Sequence, residues 1–364
     1  MQIGLMADVH YHPFTRYAKI DAGGNNSWIG QTLSLLEQAY QEFKRRGITW
    51  VVYLGDMFEV GHRSETDYFN QIHEFHRQKA NQGFRITAIV GNHDQTYPGS
   101  PVSILAAMKD CMEVVNEYDW KALTNNVVVH FMPYREDPEE INRSFQDGLA
   151  ANPAGLRHIV LGHLAVWGAA QGRGEYVPHH QVMATIFAQA DLVLLGHYHK
   201  RQSLTPMVHY IGSLCSLDFG DAGDRDKRGL AILDTHDLSV EYVNLPSIGF
   251  EVMTAEDAMA CVSGHQAEDQ GVPVVQNCIV RVDYEAPVDE DTIRQGLLAA
   301  GARHVVFSGT QSKAQRVRVD SGQPGEEDGP GVEKYIKTYV QSFGGLLDAK
   351  RLISTGMALM GSEA

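Results

Sequence analysis

Short apolar runs bounded by glycine and polar residues alternate with longer amphipathic stretches over the first 245 residues. Apolar runs between turn formers predict buried strands. They fall at 2–7, 50–54, 85–90, 127–132, 158–161, 192–195, 207–211, 230–233 and 240–243. Apolar positions recur at helical spacing near 29–45, 65–81 and 102–112. Strands alternating with helices predict an α/β fold, a mainly parallel or mixed sheet covered by helices.

After Pro246 the pattern shortens to a strand at 279–284, a helix at 290–300 and a strand at 304–308, which predicts a small second α/β domain. Residues 320–331 are glycines, prolines and acids that cannot build a core, and they read as a linker. Beyond it, Ile336, Tyr339, Val340 and Phe343, then Leu352, Ile353, Met357 and Met360, recur at helical spacing. The expected organisation is a main domain at 1–245, a small α/β capping domain at 246–319, an acidic linker at 320–331 and C-terminal helices at 332–364.

With 364 residues, more than one domain is expected, and 43% hydrophobic residues are ample for a core. Met1 to Ala7 is apolar but meets Asp8 at once and lacks a basic flank, which argues against a signal peptide. No run approaches membrane-spanning length. Cys111, Cys215, Cys261 and Cys278 form no paired metal spacing, so free thiols in a reducing cytosol are expected. The 45 acidic and 30 basic residues give a net charge of −15, the wrong sign for gripping nucleic acid over the whole surface. Any such contact must be local, where two divalent cations would outweigh Asp8 and Asp56 and leave the site cationic.

The chemistry sits where the strands end. Asp8-Val9-His10, Gly55-Asp56-Met57-Phe58, Gly91-Asn92-His93-Asp94 and Gly196-His197-Tyr198-His199 each follow an apolar run. Ligands of open α/β sheets bind outside the carboxyl ends of the strands. In extended backbone, residues two apart face the same way, so Asp8 and His10 can share a cation, and His197 and His199 can lean over two. Asp56 has two oxygens with which to bridge both ions, and Gly55 permits close backbone approach. Asn92 offers a neutral amide oxygen, leaving His93 beside the phosphate as general acid, with Asp94 behind it as an orienting group. His163, in Leu161-Gly162-His163, repeats the grammar of Gly196-His197. The proposed partition is Asp8, His10, Asp56 and His199 on one ion, and Asp56, Asn92, His163 and His197 on the other. An imidazole and oxygen set without cysteine suits Mn2+, Fe or Zn, and two such ions about 3.5–4 Å apart activate water against phosphate esters.

Any one of these motifs alone could be a turn with satisfied polar groups. Their conjunction at successive strand ends is what points to a binuclear centre. The remaining histidines, among them His62, His179 and His180, read as surface or satisfied interior residues.

The order Asp-x-His, Gly-Asp-x-Phe, Gly-Asn-His-Asp, Gly-His, Gly-His-x-His resembles that of calcineurin-like metallophosphoesterases, over roughly the first 245 residues. The resemblance implies a mixed β-sheet sandwich flanked by helices. Gly196-His197-Tyr198-His199-Lys200-Arg201-Gln202, with Tyr210-Ile211-Gly212-Ser213 and Phe219-Gly220-Asp221, is similar to the SbcD-type DNA repair nucleases. The layout, with Arg228-Gly229 before a strand, a cap, a linker and terminal helices, is similar to T-even bacteriophage recombination nucleases. That resemblance implies a manganese-dependent DNA exonuclease and endonuclease acting in recombination and repair. It also implies a homodimer through residues 65–81 and 102–112, and an SbcC-type ATPase partner gripped by residues 332–360. The family's ligands carry over onto Asp8, His10, Asp56, Asn92, His163, His197 and His199, and its catalytic histidine onto His93.

The chain departs from those relatives at Glu59, where His or Asp is usual, at Tyr11-His12, where Leu-Gly is usual, and at Arg201, where proline is usual. A phosphomonoesterase or cyclic-nucleotide phosphodiesterase, and a non-catalytic DNA-end-binding scaffold, are the alternatives. Gly55-Asp56-Met57-Phe58-Glu59-Val60-Gly61 does not match the Gly-Asp-x-Val-Asp-Arg-Gly of protein phosphatases.

Overall fold

In chain order the elements of the computed structural model are β1 (Gln2–Met6), α1 (Ser27–Arg45), β2 (Trp50–Leu54), α2 (Thr66–Asn81), β3 (Arg85–Ile89), β4 (Glu113–Val115), β5 (Asp119–Thr124), β6 (Val127–Met132), α3 (Pro138–Ala150), β7 (Arg157–His163), β8 (Leu192–Gly196), β9 (Gln202–Ser203), β10 (Val208–Tyr210), β11 (Gly229–Asp234) and β12 (Val240–Asn244). Then follow β13 (Gly249–Thr254), α4 (Ala255–Val262), β14 (Cys278–Tyr284), α5 (Glu290–Ala299) and β15 (His304–Gly309). The structure describes residues 1–309 except 15, 62–65, 125, 153–154, 171–181 and 264–274. The expected linker at 320–331 and helices at 332–364 lie outside the described residues.

Two six-stranded mixed sheets form the body, in the orders β12-β11-β1-β2-β3-β4 and β5-β6-β7-β8-β10-β9. Strands β1 to β4 run parallel, as do β6, β7, β8 and β10, while the edges turn antiparallel. A shared core separates the sheets, with Leu5, Val52 and Leu54 on one side and Phe131, Leu161 and Leu194 on the other. Because β2 and β8 are buried along their whole length, their sequences are continuous apolar runs without alternation. Helix α1 starts where the Asn26 side chain accepts from the Trp28 and Ile29 N–H groups. Its face of Leu36, Ala39, Tyr40 and Phe43 covers the outer side of the first sheet. Helix α3 covers the second through Ile141 and Phe145. This is the sandwich of mixed sheets flanked by helices that the motif order implies.

A three-stranded sheet, β13-β14-β15, follows, and with α4 and α5 it builds its own cluster around Val280, Val282, Ile293 and Leu297. It touches the body through Phe250 and Ile279, which pack on Trp28 beside Phe14 and Tyr17.

The expected helix at 102–112 is corrected. Only Ile104–Met108 winds, as a 3-10 helix capped by Ser103, because the chain must be extended again at Glu113 to pair β4 with β3. Strand β5 has no apolar run to announce it, since it is an edge strand with a largely exposed pattern. Helix α3 carried a readable start, Asp137 capping Glu139 with Pro138 in the first turn. Among the described residues, no helix is long and apolar enough to cross a membrane.

Candidate metal centre

The loops after β1, β2, β3, β7 and β8 meet at one end of the sandwich. The first two zip together, Asp8 N–H donating to the Gly55 carbonyl at 3.2 Å and His10 N–H to the Asp56 carbonyl at 3.1 Å. Asp8, His10, Asp56 and His197 all have left-handed backbone, with φ of 50°, 47°, 49° and 101°. Such conformations are unfavourable for non-glycine residues and gather at functional sites. Gly55 has φ of 86°, and a Cβ there would stand 2.2 Å from Nδ1 of His163, so only glycine lets the β2 loop pass the ring.

The side chains converge on Asp56, whose Oδ2 lies 3.1 Å from His163 Nε2 and 3.7 Å from His10 Nε2. Donor atoms of Asp8, His10 and His199 lie within 4.8 Å of one another, as do those of Asp56, His163 and His197, and those of His10, Asp56 and His93. The Asn92 amide oxygen accepts from both His163, at 3.0 Å, and His197, at 2.9 Å. All seven side chains expected as ligands, and His93, are therefore brought together, with Asp56 between the two expected groups.

Behind the donors, His163 Nδ1–H donates to the Leu54 carbonyl at 2.8 Å, and Asp8 accepts from His197 N–H at 2.9 Å. His93 Nδ1–H donates to the Glu59 carbonyl at 2.8 Å, and its main-chain N–H donates to Asp56 Oδ1 at 2.8 Å. The expectation that Asp94 orients the His93 ring is corrected: its carboxylate accepts from the main-chain N–H groups of Phe58 and Gly91 at 2.9 and 3.0 Å. Asp94 clamps the β2 loop to the β3 loop, and the Glu59 carbonyl holds the ring.

A profile of the calcineurin-like phosphoesterases matches residues 1–201. The chain belongs to that family. Among curated proteins, this phosphoesterase is similar to Exonuclease subunit 1 of Enterobacteria phage T4, 24% identical over 229 residues that cover 60% of this chain. The match spans 63% of the phage protein, less than two thirds of its length. Among solved structures, a dimetal phosphatase from Danio rerio is 14% identical, with 64% of this chain and 91% of that one covered and a TM-score of 0.39. Nuclease MPE of Pseudomonas putida is 14% identical, with 46% and 64% covered and a TM-score of 0.24.

The donor set of this phosphoesterase fits the divalent ions its family uses. Both ring nitrogens of His10 are buried without a hydrogen bond among the described residues, and Nε2 is turned toward Asp56. Burial opposes a charge on His163, yet Asp56 and Asp8 outweigh it and raise the ring to about 9, a proton standing where cationic charge is wanted. Burial and His163 drive His197 down to about 3, keeping that ring neutral as a ligand must be. Burial also pushes Asp56 upward, but His163 and His10 prevail and hold it ionised well below the usual carboxylate range.

The sequence reading gives several participants no role at the site. Tyr134, two residues past β6, lies with its ring 5.7 Å from that of His197. Its place after a predicted strand was the available signal. Asp221 stands 3.8 Å from His199 Nδ1 and accepts from the buried Arg228 at 2.9 Å, so Phe219-Gly220-Asp221 and Arg228-Gly229 meet behind one ring. Glu59 contacts two imidazoles. Arg201 stacks 4.3 Å over Tyr242 and donates to Asn244 at 3.1 Å, tying the β8 loop to β12.

Proposed function

We propose that this protein is a manganese-dependent DNA nuclease subunit, hydrolysing phosphodiester bonds at DNA ends as exonuclease and endonuclease in recombination or repair. The observation that supports it is the convergence of six oxygen and imidazole donors around Asp56 with His93 held beside them by contacts of its own. The similarity to a phage exonuclease subunit favours a nucleic acid over a phosphomonoester or cyclic nucleotide.

In this reading Asp8, His10, Asp56 and His199 would hold one Mn2+, and Asp56, Asn92, His163 and His197 the other. When bound, the pair supplies Lewis-acid charge for the phosphate and lowers the pKa of the attacking water. His93 protonates the departing sugar oxygen. Burial works against its charged form, but Asp56 and the Glu59 carbonyl raise its pKa above the ordinary histidine value and so hold the proton to be donated. The Glu59 carbonyl fixes that proton-carrying ring by taking Nδ1–H, which leaves Nε2 for the substrate. A homodimer and an SbcC-type ATPase bound through residues 332–364 complete the proposed assembly.

The test is incubation of the pure protein with labelled duplex and single-stranded DNA, with and without Mn2+. Cleavage only with the metal is the expected result. Hydrolysis of p-nitrophenyl phosphate or cyclic nucleotides but not of DNA would overturn the proposal.

A further inference from the structure

We infer that Glu59 is a positioning residue of the metal centre that acts through two different atoms, its carboxylate setting the His10 ring and its main-chain carbonyl setting His93. The inference rests on reading the site as a two-ion hydrolytic centre.

Glu59 Oε2 lies 2.7 Å from His10 Nδ1, an ion-pair contact outside hydrogen-bond geometry, while the opposite nitrogen of that ring faces Asp56 Oδ2 at 3.7 Å. A carboxylate charge this close to one imidazole nitrogen favours the proton on that side, so the lone pair on the other is free for a cation. The Glu59 carbonyl, 2.8 Å from His93 Nδ1, can only accept, so it fixes the tautomer of the second ring as well.

Both atoms are placed by the backbone. Glu59 N–H donates to the Tyr11 carbonyl at 3.3 Å, and the preceding Phe58 N–H to Asp94 at 2.9 Å. Two residues on, a Cβ on Gly61 would come within 2.3 Å of the Gln95 carbonyl, so the loop lies pressed on the chain that carries His93. Two other ligand rings are backed differently, His163 by the Leu54 carbonyl and His199 by Asp221.

The two contacts are separable. Truncating the side chain removes the group behind His10 but leaves the carbonyl behind His93. The effect should therefore appear in metal uptake at one site and spare the His93 tautomer. The Glu59 side chain is 37% exposed, so its removal leaves no large cavity.

The experiment is a titration of metal-stripped, full-length protein with Mn2+, free ion being read by electron paramagnetic resonance. Wild type, Glu59→Ala and Glu59→Asp are compared. Wild type is expected to take two ions, and Glu59→Ala to lose about 10- to 100-fold in affinity at one of them while the other is unchanged. Glu59→Asp, which restores a carboxylate, should recover part of the loss. In histidine-labelled protein, the nitrogen resonances of His93 should keep their Nδ1–H signature in every variant. Should Glu59→Ala unfold, the isosteric Glu59→Gln carries the same titration. Two unaltered affinities, an equal fall at both sites, or loss of the His93 signature would each overturn the inference. Two ions bound without DNA cleavage would overturn the nuclease proposal alone, and no ion bound would overturn both.

Discussion

The Tyr11 hydroxyl lies 2.9 Å from Nε2 of His76, inside the protein, joining the loop that carries His10 to helix α2. Both side chains are buried, and the Tyr11 ring also packs 5.4 Å from that of Phe58 in the β2 loop. Tyr11 is thus a tether for the metal loop. Tyr11→Phe is expected to lower stability by about 1–3 kcal/mol, because it strands a buried imidazole whose other nitrogen has no hydrogen-bond partner among the described residues. Urea unfolding would measure it, and an unchanged midpoint would show the pair to be incidental.

His76 also sets a pH dependence. Burial lowers its pKa to about 3 in the folded protein, below the value near 6.5 of an unfolded histidine. Between those two values the unfolded chain binds a proton that the native state refuses. Stability therefore falls as pH drops from about 6.5 to about 3, by about 1.4 kcal/mol per unit from this one group. His76→Phe should flatten that slope in unfolding curves measured across the range. An identical slope would assign acid sensitivity to other groups.

His93→Ala is expected to keep both ions and to lose hydrolysis of DNA by about a hundred- to ten-thousand-fold, the usual worth of a general acid. Metal content by mass spectrometry and single-turnover rates give the two readings. A rate equal to wild type would remove the imidazole from the chemistry.

Mn2+ should stabilise the fold, since the carboxylates and rings crowd one another without it. At a free concentration 100 times its dissociation constant, each bound ion adds about 2.7 kcal/mol. Uptake should also release protons, because His163, raised to about 9, must lose its proton to become a ligand. Calorimetry in buffers of different ionisation enthalpy would count them. A melting temperature indifferent to Mn2+ would refute the donor assignment.

Deleting residues 332–364 should abolish co-purification with an SbcC-type ATPase while sparing manganese-dependent cleavage of single-stranded DNA. Retained co-purification would place the partner's contact elsewhere.

Much of this was legible because strands buried on both faces write themselves as apolar runs, and the residue after such a run lies at the sheet's end. Asp8, Asp56, Asn92, His163 and His197 follow that grammar. Glu59 did not, because half of what it does belongs to a carbonyl that every residue owns. Asp221 lies far along the chain from His199, and only the turn through Arg228 brings them together. Asp94 misled for the opposite reason: its neighbour in sequence is His93, but its hydrogen bonds go to the backbones of Phe58 and Gly91. The 3-10 turn at Ile104–Met108 was obscured because pairing of β4 with β3 overrode local helical spacing.

The left-handed torsions at Asp8, His10, Asp56 and His197 have an evolutionary corollary. Each costs about 1–3 kcal/mol, and these four are the majority of the seven non-glycine residues with such backbone among the described residues, so strain is concentrated at the rim of the metal centre. A laboratory selection for heat resistance alone would favour glycine or asparagine at these positions, and its survivors would be sturdier molecules that had given up their ions.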